Sequence, residues 1–475
     1  MLRNFAGMTR IEEYRDVNAP PTVHTGALPV LLTASFMTAL DFFIVNVALP
    51  AMQHDLGAGP SALEWVVAGF GLALAAGMIT GGRLGDIYGR RRIFGIGLAL
   101  FTAASLACGA APTAGALIAA RAAQGLSAAI LMPQVIAILR TSVPAAEQPR
   151  AFARYSLVVG LGAVFGQLVG GLLIWADPFG LDWRWCFLIN LPIGIAALAL
   201  VGRIPESRHA SSRLDPAGVA LSSAALVTLV LPLIEGRAHG WPAWTWLSLA
   251  ASAVLFAAFV LSQRGRRQPL MDLSLFRERP FTVGLIATQV FWMGQASFFV
   301  ILALYLQFGR HLSALASGAV FVAIGGGYLF TSMNSHRFAA RLGRQVVPAG
   351  ALVMMAGLLL MRAAAGQPIG WLLPGMAVDG LGMGMALAPL TTTVLSRVQP
   401  RHAGAAAGVL STVNQTGNAV GVALLGIVFY GAAGYTAGFR AGLLALAGLE
   451  VVLALVIQAL RTPDDRSSAG SRGRR

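Results

Sequence analysis

Apolar stretches recur along the whole chain, and each is close to the roughly 20 residues that an α-helix needs to cross a bilayer. Because every backbone polar group inside lipid must be hydrogen-bonded within the chain, such stretches have to be helical. The sequence therefore predicts an all-α integral membrane protein with fourteen spans. The predicted spans are 29–51, 62–81, 93–111, 115–139, 155–175, 184–202, 216–234, 243–263, 281–306, 314–332, 346–362, 369–390, 404–428 and 438–460.

The composition agrees with a membrane protein and excludes several other functions. Charged residues make up only 11% of the chain, against the roughly 25% expected of a soluble domain. The net charge of +15 would suggest a nucleic-acid partner in a soluble protein, but here the basic residues lie between apolar stretches and indicate topology. All 34 of them are arginine, which excludes a P-loop lysine and a Schiff-base lysine. We therefore expect no nucleic-acid partner and no ATPase motif.

The arginines also predict how the chain is oriented and divided. They cluster after even-numbered spans, as in 83–92, whereas the odd-numbered connections are short and carry few. By the positive-inside rule both termini are then cytoplasmic, as an even number of spans requires. The predicted parts are an N-terminal tail (1–28), a six-helix bundle (29–202), a linker with two extra membrane helices (203–280), a second six-helix bundle (281–460) and a disordered tail (461–475).

The connection between the second and third spans is a short cationic turn, 82–92. Gly82 and Gly89 permit close backbone approach and unusual φ values, and Asp86 lies among arginines that include Arg90. We expect Asp86 to pair with an arginine or to cap a helix N-terminus. The turn is interpreted as a hinge between membrane helices; the alternative is an ordinary charged loop.

An internal repeat relates the two predicted bundles. At one nearly constant offset, features of the first bundle recur in the second: Gly125 as Gly380, Pro133 as Pro389 and Gly166 as Gly421. Parallel copies are the arrangement of a rocking secondary transporter, with the substrate site between them near the middle of the membrane. The two extra helices belong to neither copy.

Polar side chains inside the first bundle are candidates for chemistry. The first span carries Asp41 and Asn46 in apolar sequence, where an acid is costly unless it is functional or paired. An acid in such surroundings can bind and release a proton or hold a cation; the alternative is a structural acid bonded to a neighbouring helix. Arg121 and Gln124 share one face of the fourth span. Arg121 could steer proton release, bind an anionic group or simply bond backbone carbonyls.

In the second bundle Asp379 is nearly the repeat equivalent of Gln124, which makes it the second proton or cation candidate on the same central cavity. Glu450 fits a structural and a functional role equally well. Two further sets are open to two interpretations. Ser411, Asn414, Gln415 and Asn418 could line a cavity or bond between helices, and Phe291, Trp292, Phe298 and Phe299 could form a wall for lipophilic cations or face lipid and core.

Small residues indicate close helix packing in the fifth span. Gly162, Gly166 and Gly170 recur every four residues, with Gly171 beside them, and by themselves they predict packing only. The two cysteines, Cys108 and Cys186, both lie near predicted outer helix ends, so that a disulfide is conceivable, but small buried hydrophobes are the favoured interpretation.

Five stretches resemble motifs of the fourteen-span drug:proton antiporters of the major facilitator superfamily, the QacA/EmrB type. They are 82–92 (G-x-L-x-D-x-x-G-R-R-R), 40–50 (L-D-x-T-x-V-N-V-A-L-P), 121–125 (R-x-x-Q-G), 162–171 (G-x-x-x-G-P-x-x-G-G) and 183–192 (W-R-W-x-F-x-I-N-x-P). The chain departs from these motifs at Phe43, where threonine is usual, and at Gln167, where proline is usual. The first change removes a polar contact beside Asp41, and the second removes a helix kink.

The resemblance implies a major facilitator fold and proton-coupled efflux of small amphipathic or hydrophobic compounds such as drugs, dyes or antibiotics. It implies Asp41 as a coupling or substrate-binding acid, Arg121 as a proton-relay group, and Asp86 with Arg90 as a conformational latch. The energy source would be the proton gradient, with no cofactor and no metal. The alternative within transport is a dedicated exporter of one endogenous metabolite or antibiotic.

Two other classes are less compatible with the sequence. A membrane enzyme would need a metal or nucleophile motif such as H-E-x-x-H or G-x-S-x-G, and neither occurs. A sensor would need a sizeable output domain. The arginine-, alanine- and glycine-rich composition indicates a bacterial genome rich in GC, and hence the plasma (inner) membrane. In double-membraned bacteria such exporters often recruit a periplasmic adaptor and an outer-membrane channel.

Overall fold

Helices make up the secondary structure of the described chain. The computed structural model describes residues 26–144, 147–207, 215–264, 273–396, 398 and 403–459, and thirteen helices in these ranges are long and apolar enough to cross a membrane. Residues 1–25 and 460–475, which contain nearly all of the two predicted tails, lie outside the described ranges.

The helices fall into two halves and a middle pair. The first half comprises α1 (Ala27–Leu56), α2 (Pro60–Tyr88), α3 (Arg90–Gly109), α4 (Ala114–Ser142), α5 (Gln148–Ala176), α6 (Trp185–Leu188) and α7 (Asn190–Ala199). The middle pair is α8 (Pro216–Ala238) and α9 (Ala243–Gln263). The second half comprises α10 (Arg279–Leu304), α11 (Ala314–Met333), α12 (Ser335–Leu342), α13 (Val346–Ala364), α14 (Leu372–Leu395), α15 (Ala403–Tyr430) and α16 (Tyr435–Gln458).

The sixth predicted span, 184–202, is where the structure differs from the count of fourteen. It is split at Ile189 into α6 and α7, and neither piece is long enough to cross a membrane. Pro192 lies in the first turn of α7 and has no N–H to donate to the carbonyl four residues earlier, which weakens the helix at this point. Ile189 keeps helical angles, φ −57 and ψ −26, so the chain still runs on in one direction.

The two halves repeat the same packing. In the first half α1 packs on α5, while α2 and α3 pack on α4. In the second half α10 packs on α15, while α11 and α13 pack on α14. The halves meet along two seams, α2 against α15 and α5 against α11. The middle pair lies beside the first seam, because α8 contacts both α2 and α15.

The two ends of the molecule differ. We name the end that carries 83–92 the arginine-rich end, and the end where α1 stops and α2 begins the opposite end. At the opposite end the Gln307 amide donates to the Val47 carbonyl over 2.9 Å and ties the two halves together. Gly171 of α5 lies there against the backbone of Ala314 on α11, where a Cβ atom would not fit. Direct contacts therefore close the molecule at this end.

Both cysteines are free and fully buried. Cys108 lies on α3 and Cys186 on α6, so they act as small apolar side chains in the core of the first half.

Candidate functional site

A central cavity lies between the two halves. The empty space in and around it is about 540 Å³, which includes space open to solvent. The first half supplies residues of α1 and α5, and the second half supplies residues of α10, α11 and α14. The lining consists of Phe43, Val159, Gly160, Ala163, Val164, Trp292, Phe299, Phe321, Ile324, Gly325, Tyr328, Met383 and Leu387. These lining side chains are apolar or aromatic, and none of them is charged.

An aromatic cluster in the wall of the cavity connects the two halves. The Phe43 ring of α1 lies 5.2 Å from the Phe299 ring of α10, edge to face, and Phe299 stacks on Phe321 of α11 at 5.6 Å. Edge-to-face and offset-stacked pairs are the favoured geometries of aromatic rings. Only two of the four residues of the predicted aromatic wall line this cavity. Trp292 and Phe299 line the cavity, whereas Phe291 and Phe298 are buried in the packing of the second half.

Asp41 lies in a polar network inside the first half. Its carboxylate accepts from the Arg121 guanidinium at 2.7 Å and from the Gln124 and Asn190 amides, each at 2.7 Å. Gln124 also donates to the Ser105 hydroxyl at 2.8 Å. All five side chains are fully buried. The packing of α1, α3, α4 and α7 brings these residues together. The sequence did not predict that Ser105 and Asn190 belong to this network.

The Arg121 guanidinium has further partners besides Asp41. Its Nε donates to the Val66 carbonyl of α2 at 3.0 Å, and its guanidinium lies 4.3 Å from the centre of the Phe70 ring. A guanidinium that is paired, hydrogen-bonded and stacked can remain charged in the interior. The network therefore holds one compensated charge pair, and its members do not line the central cavity.

The second half carries the corresponding positions with a different charge balance. Asp379 of α14 is 1% exposed and its Oδ2 has no hydrogen-bond partner, and Glu450 of α16 is 3% exposed with an unpartnered Oε2. Gln295 of α10 stands near the repeat position of Asp41, and its amide donates only to the Met354 sulfur at 3.4 Å. Where the first half has Arg121, the repeat offset of Gln124 to Asp379 places Met376, which has no charge. This half thus buries carboxyl groups without the arginine.

The predicted amide positions are not gathered at one point. Asn46 of α1 is buried with an unpartnered carbonyl oxygen. On α15 the Asn418 amide donates to Gln415 at 2.8 Å, and Asn414 also has an unpartnered carbonyl oxygen. None of the three lines the central cavity.

The cationic turn forms a compact cluster in the first half. Arg90 donates to the Asp86 carboxylate at 2.9 Å, so the predicted pairing of Asp86 with an arginine is present. Gly89 has φ +103, in the region that favours glycine. The Glu206 carboxylate accepts from the backbone N–H groups of Arg91 and Arg92 at 3.0 and 3.3 Å and caps α3. Gly82 lies close to Pro133 of α4. Sequence reasoning missed Glu206, whose distance along the chain hid the contact.

The glycines of α5 face two different helices. Gly162, Gly166 and Gly170 lie against α1, where an added Cβ would come within 2.6 to 3.1 Å of its nearest neighbour. Gly171 faces α11 across the second seam. Gln167 lies in the same helix, fully buried, and neither atom of its amide has a partner. The residue that replaces the usual proline is therefore an unsatisfied polar group in this closed seam.

Comparison with known proteins gives a consistent picture. Residues 31–422 match the family model described as Major Facilitator Superfamily. The "Probable actinorhodin transporter" of Streptomyces coelicolor is 38% identical over 425 residues, which cover 86% of this chain and 73% of that protein. The "Multidrug resistance protein Stp" of Mycobacterium tuberculosis is 33% identical over 398 residues, covering 83% and 73%. The inward-open xylose transporter XylE from E. coli shares the fold, with a TM-score of 0.65, 14% identity, and coverage of 93% and 98%.

Proposed function

The chain belongs to the major facilitator superfamily, and we propose that it exports small amphipathic compounds of the antibiotic type in exchange for protons. The observation that carries the proposal is the uncharged, aromatic cavity between the two halves, which direct noncovalent contacts close at the opposite end. Such a cavity suits alternating access, in which the seams open at one end and close at the other.

The orientation follows the arginines. We place the arginine-rich end in the cytoplasm and the opposite end outside the plasma membrane. The segment from Trp185 to Ala199, together with the short turns around it, is then the sixth crossing and brings the number of crossings to fourteen, as in the QacA/EmrB type. With this orientation the structure represents the state that is closed to the outside.

The lining favours a class of substrate. Aromatic rings and aliphatic side chains bind flat, apolar molecules by burial and stacking, and the Trp292 indole and Tyr328 hydroxyl offer polar contacts. Without an acid in the lining, a permanent cation gains less here than a neutral aromatic compound does. The relatives named for actinorhodin transport and for multidrug resistance support antibiotic-like cargo.

The proton path is proposed from the buried carboxyl groups. Among the described residues, no arginine forms an ion pair with Asp379 or Glu450, so they can take up and lose a proton without breaking such a pair. Asp41 is bonded to Arg121, so protonation of Asp41 would have to break that pair. We therefore assign proton exchange first to Asp379, and a relay or structural role to the Asp41 network.

The test is transport by inside-out membrane vesicles with an imposed pH gradient. We expect uptake of the neutral aromatic dye Nile red to exceed uptake of the cation ethidium, to stop on addition of a protonophore, and to be lost in Asp379→Asn. Uptake that persists after the gradient is collapsed would contradict proton exchange. Uptake unchanged in Asp379→Asn would contradict only the assignment of the site.

A dedicated exporter of a single antibiotic is the second candidate, favoured by the relative named for actinorhodin alone. A susceptibility panel in an efflux-deficient host separates the two. Protection against one compound supports the dedicated exporter, whereas protection against several unrelated compounds supports the broad one.

A further inference from the structure

Glu64, in the first turns of α2, carries a carboxyl group that is buried in the seam between the two halves. Its residue is 4% exposed, and its Oε1 has no hydrogen-bond partner. The carboxyl group lies against Gly426 of α15, where an added Cβ would come within 2.5 Å of Oε1. The Glu64 carboxyl group of the first half thus fills the space that a side chain at Gly426 of the second half would occupy.

A small cavity surrounds this carboxyl group. It is narrow, with room for no more than about one water molecule, and it lies at the opposite end of the molecule, separate from the central cavity. Ser297, Ile301 and Leu304 of α10 and Leu425 and Phe429 of α15 form most of its wall. The wall is almost entirely apolar. The ionised form of Glu64 is therefore poorly compensated while the seam is closed.

The charged neighbours of Glu64 come from α8, and α15 contributes the Tyr430 ring to the cavity wall. Arg237 and Glu235 of α8 act on Glu64 with opposite signs. Glu235 accepts a hydrogen bond from the Trp65 indole at 2.8 Å, and the Arg237 guanidinium lies over the Tyr430 ring at 4.8 Å. Each of these groups thus has a contact of its own. α8 of the middle pair, which the two repeats do not need, thus flanks the seam at the level of Glu64.

We infer that Glu64 is a proton-binding site of this transporter, and that its carboxyl group has to be protonated for the seam at the opposite end to close. With the seam open, water reaches Glu64, and the carboxylate forms an O–H bond with a proton from the outside. Closure then buries a neutral acid. The proton shifts the equilibrium because it binds the closed state more tightly than the open one. This inference rests on the proposed proton exchange and adds a site to it.

The test measures how far the seam opens at different pH values. Gly115 at the start of α4 and Gly370 before α14 lie in different halves at the opposite end, and a side chain added at either meets open space. Spin labels on Gly115→Cys and Gly370→Cys report the distance between the halves in lipid nanodiscs. Both native cysteines are fully buried, which protects them from the label.

We expect the labelled protein to have the short distance in acid and to shift toward a longer distance in alkali. Glu64→Gln, which mimics the protonated acid, should lose this shift and keep the short distance throughout. Glu64→Asp should keep the shift. The matched control is Asp55→Asn, because Asp55 lies at the same end but pairs with Arg184 at 2.6 Å within the first half; it should behave as the unmodified protein does.

Two results would overturn the inference: a Glu64→Gln variant that opens with pH as the unmodified protein does, or a seam whose distance does not respond to pH at all. Loss of the shift in Asp55→Asn as well would attribute the response to the general charge of this end and would equally overturn it. The measurement needs no transported compound. A failure to export dyes or antibiotics, with the pH response intact, would therefore contradict the proposed function but not the proton site at Glu64.

Discussion

The Asp41 carboxylate and the Arg121 guanidinium form an ion pair of 2.7 Å that is buried entirely inside the first half. Neither residue of the pair lines the central cavity. A buried ion pair adds little net stability compared with apolar residues of the same size. Removing one partner, however, destabilises the protein strongly, because it leaves an uncompensated charge in the interior.

Asp41→Asn should therefore destabilise the protein by about 3–5 kcal/mol, since Arg121 is left buried without its counter-charge. The measurement is the free energy of unfolding in detergent. The matched variant is Asp41→Asn with Arg121→Met, which removes both charges and should recover much of the loss. A single variant as stable as the unmodified protein would contradict the structural part of this assignment.

Phe43→Thr should weaken binding of neutral aromatic compounds, because it removes an aromatic wall of the cavity and the edge-to-face contact with Phe299. An aromatic contact between Phe43 and a bound ring contributes about 0.5–1.5 kcal/mol, so we expect its loss to raise the dissociation constant roughly 2- to 10-fold. Quenching of tryptophan fluorescence measures it. Phe165→Thr is the control, because Phe165 lies on α5 with 37% exposure and does not line the cavity. Equal effects of the two changes would argue against the cavity as the binding site.

Gly171→Ala should disfavour the state that is closed at the opposite end. The added methyl group would come within 2.5 Å of the Ala314 carbonyl across the second seam, so α5 and α11 have to separate. Gly448→Ala is the control, since a Cβ there meets open space and should only raise helix stability, by about 0.5–1 kcal/mol. The distance between labels at 115 and 370 should lengthen for Gly171→Ala alone. An unchanged distance would contradict the close packing of Gly171 against Ala314.

Gln167→Leu should stabilise the closed state by about 1–3 kcal/mol, because it replaces a buried amide without partners by an apolar side chain of similar size. The comparison is Gln134→Leu on α4. There the amide donates to the Gly81 carbonyl at 2.7 Å, so the same change should lower the melting temperature. Melting temperatures that move in the same direction for both variants would show that the partners of the amide do not decide the outcome.

Much of the fold could be predicted because lipid imposes simple rules. Thirteen of the fourteen predicted spans correspond to helices of membrane length, since each had to satisfy its backbone within one apolar stretch. The sixth could not be predicted in detail, because its hydrophobicity alone does not show that Pro192 weakens the helix. The pairing of Asp86 with Arg90 could be predicted because the two are only four residues apart, at the end of α2 and the start of α3.

The sequence predicted only part of the candidate site. The chemistry of Asp41, Arg121 and Gln124 stands out in apolar sequence, but whether they face the cavity or the interior of one half depends on helix rotation. Sequence reasoning passed over Glu64 because it lies near the start of a span, where an acid at a membrane surface is unremarkable by composition.

The sequence by itself determined the class of protein, the placing of its spans and the arginine-rich end, because these follow from hydrophobicity, length and charge along one dimension. Only the tertiary structure decided that Asp41 is paired, that Phe43 and Trp292 form the cavity wall, and that Glu64 is enclosed by the other half. Those properties depend on which helix faces lie against each other, and residues hundreds of positions apart settle them through contact and loss of water.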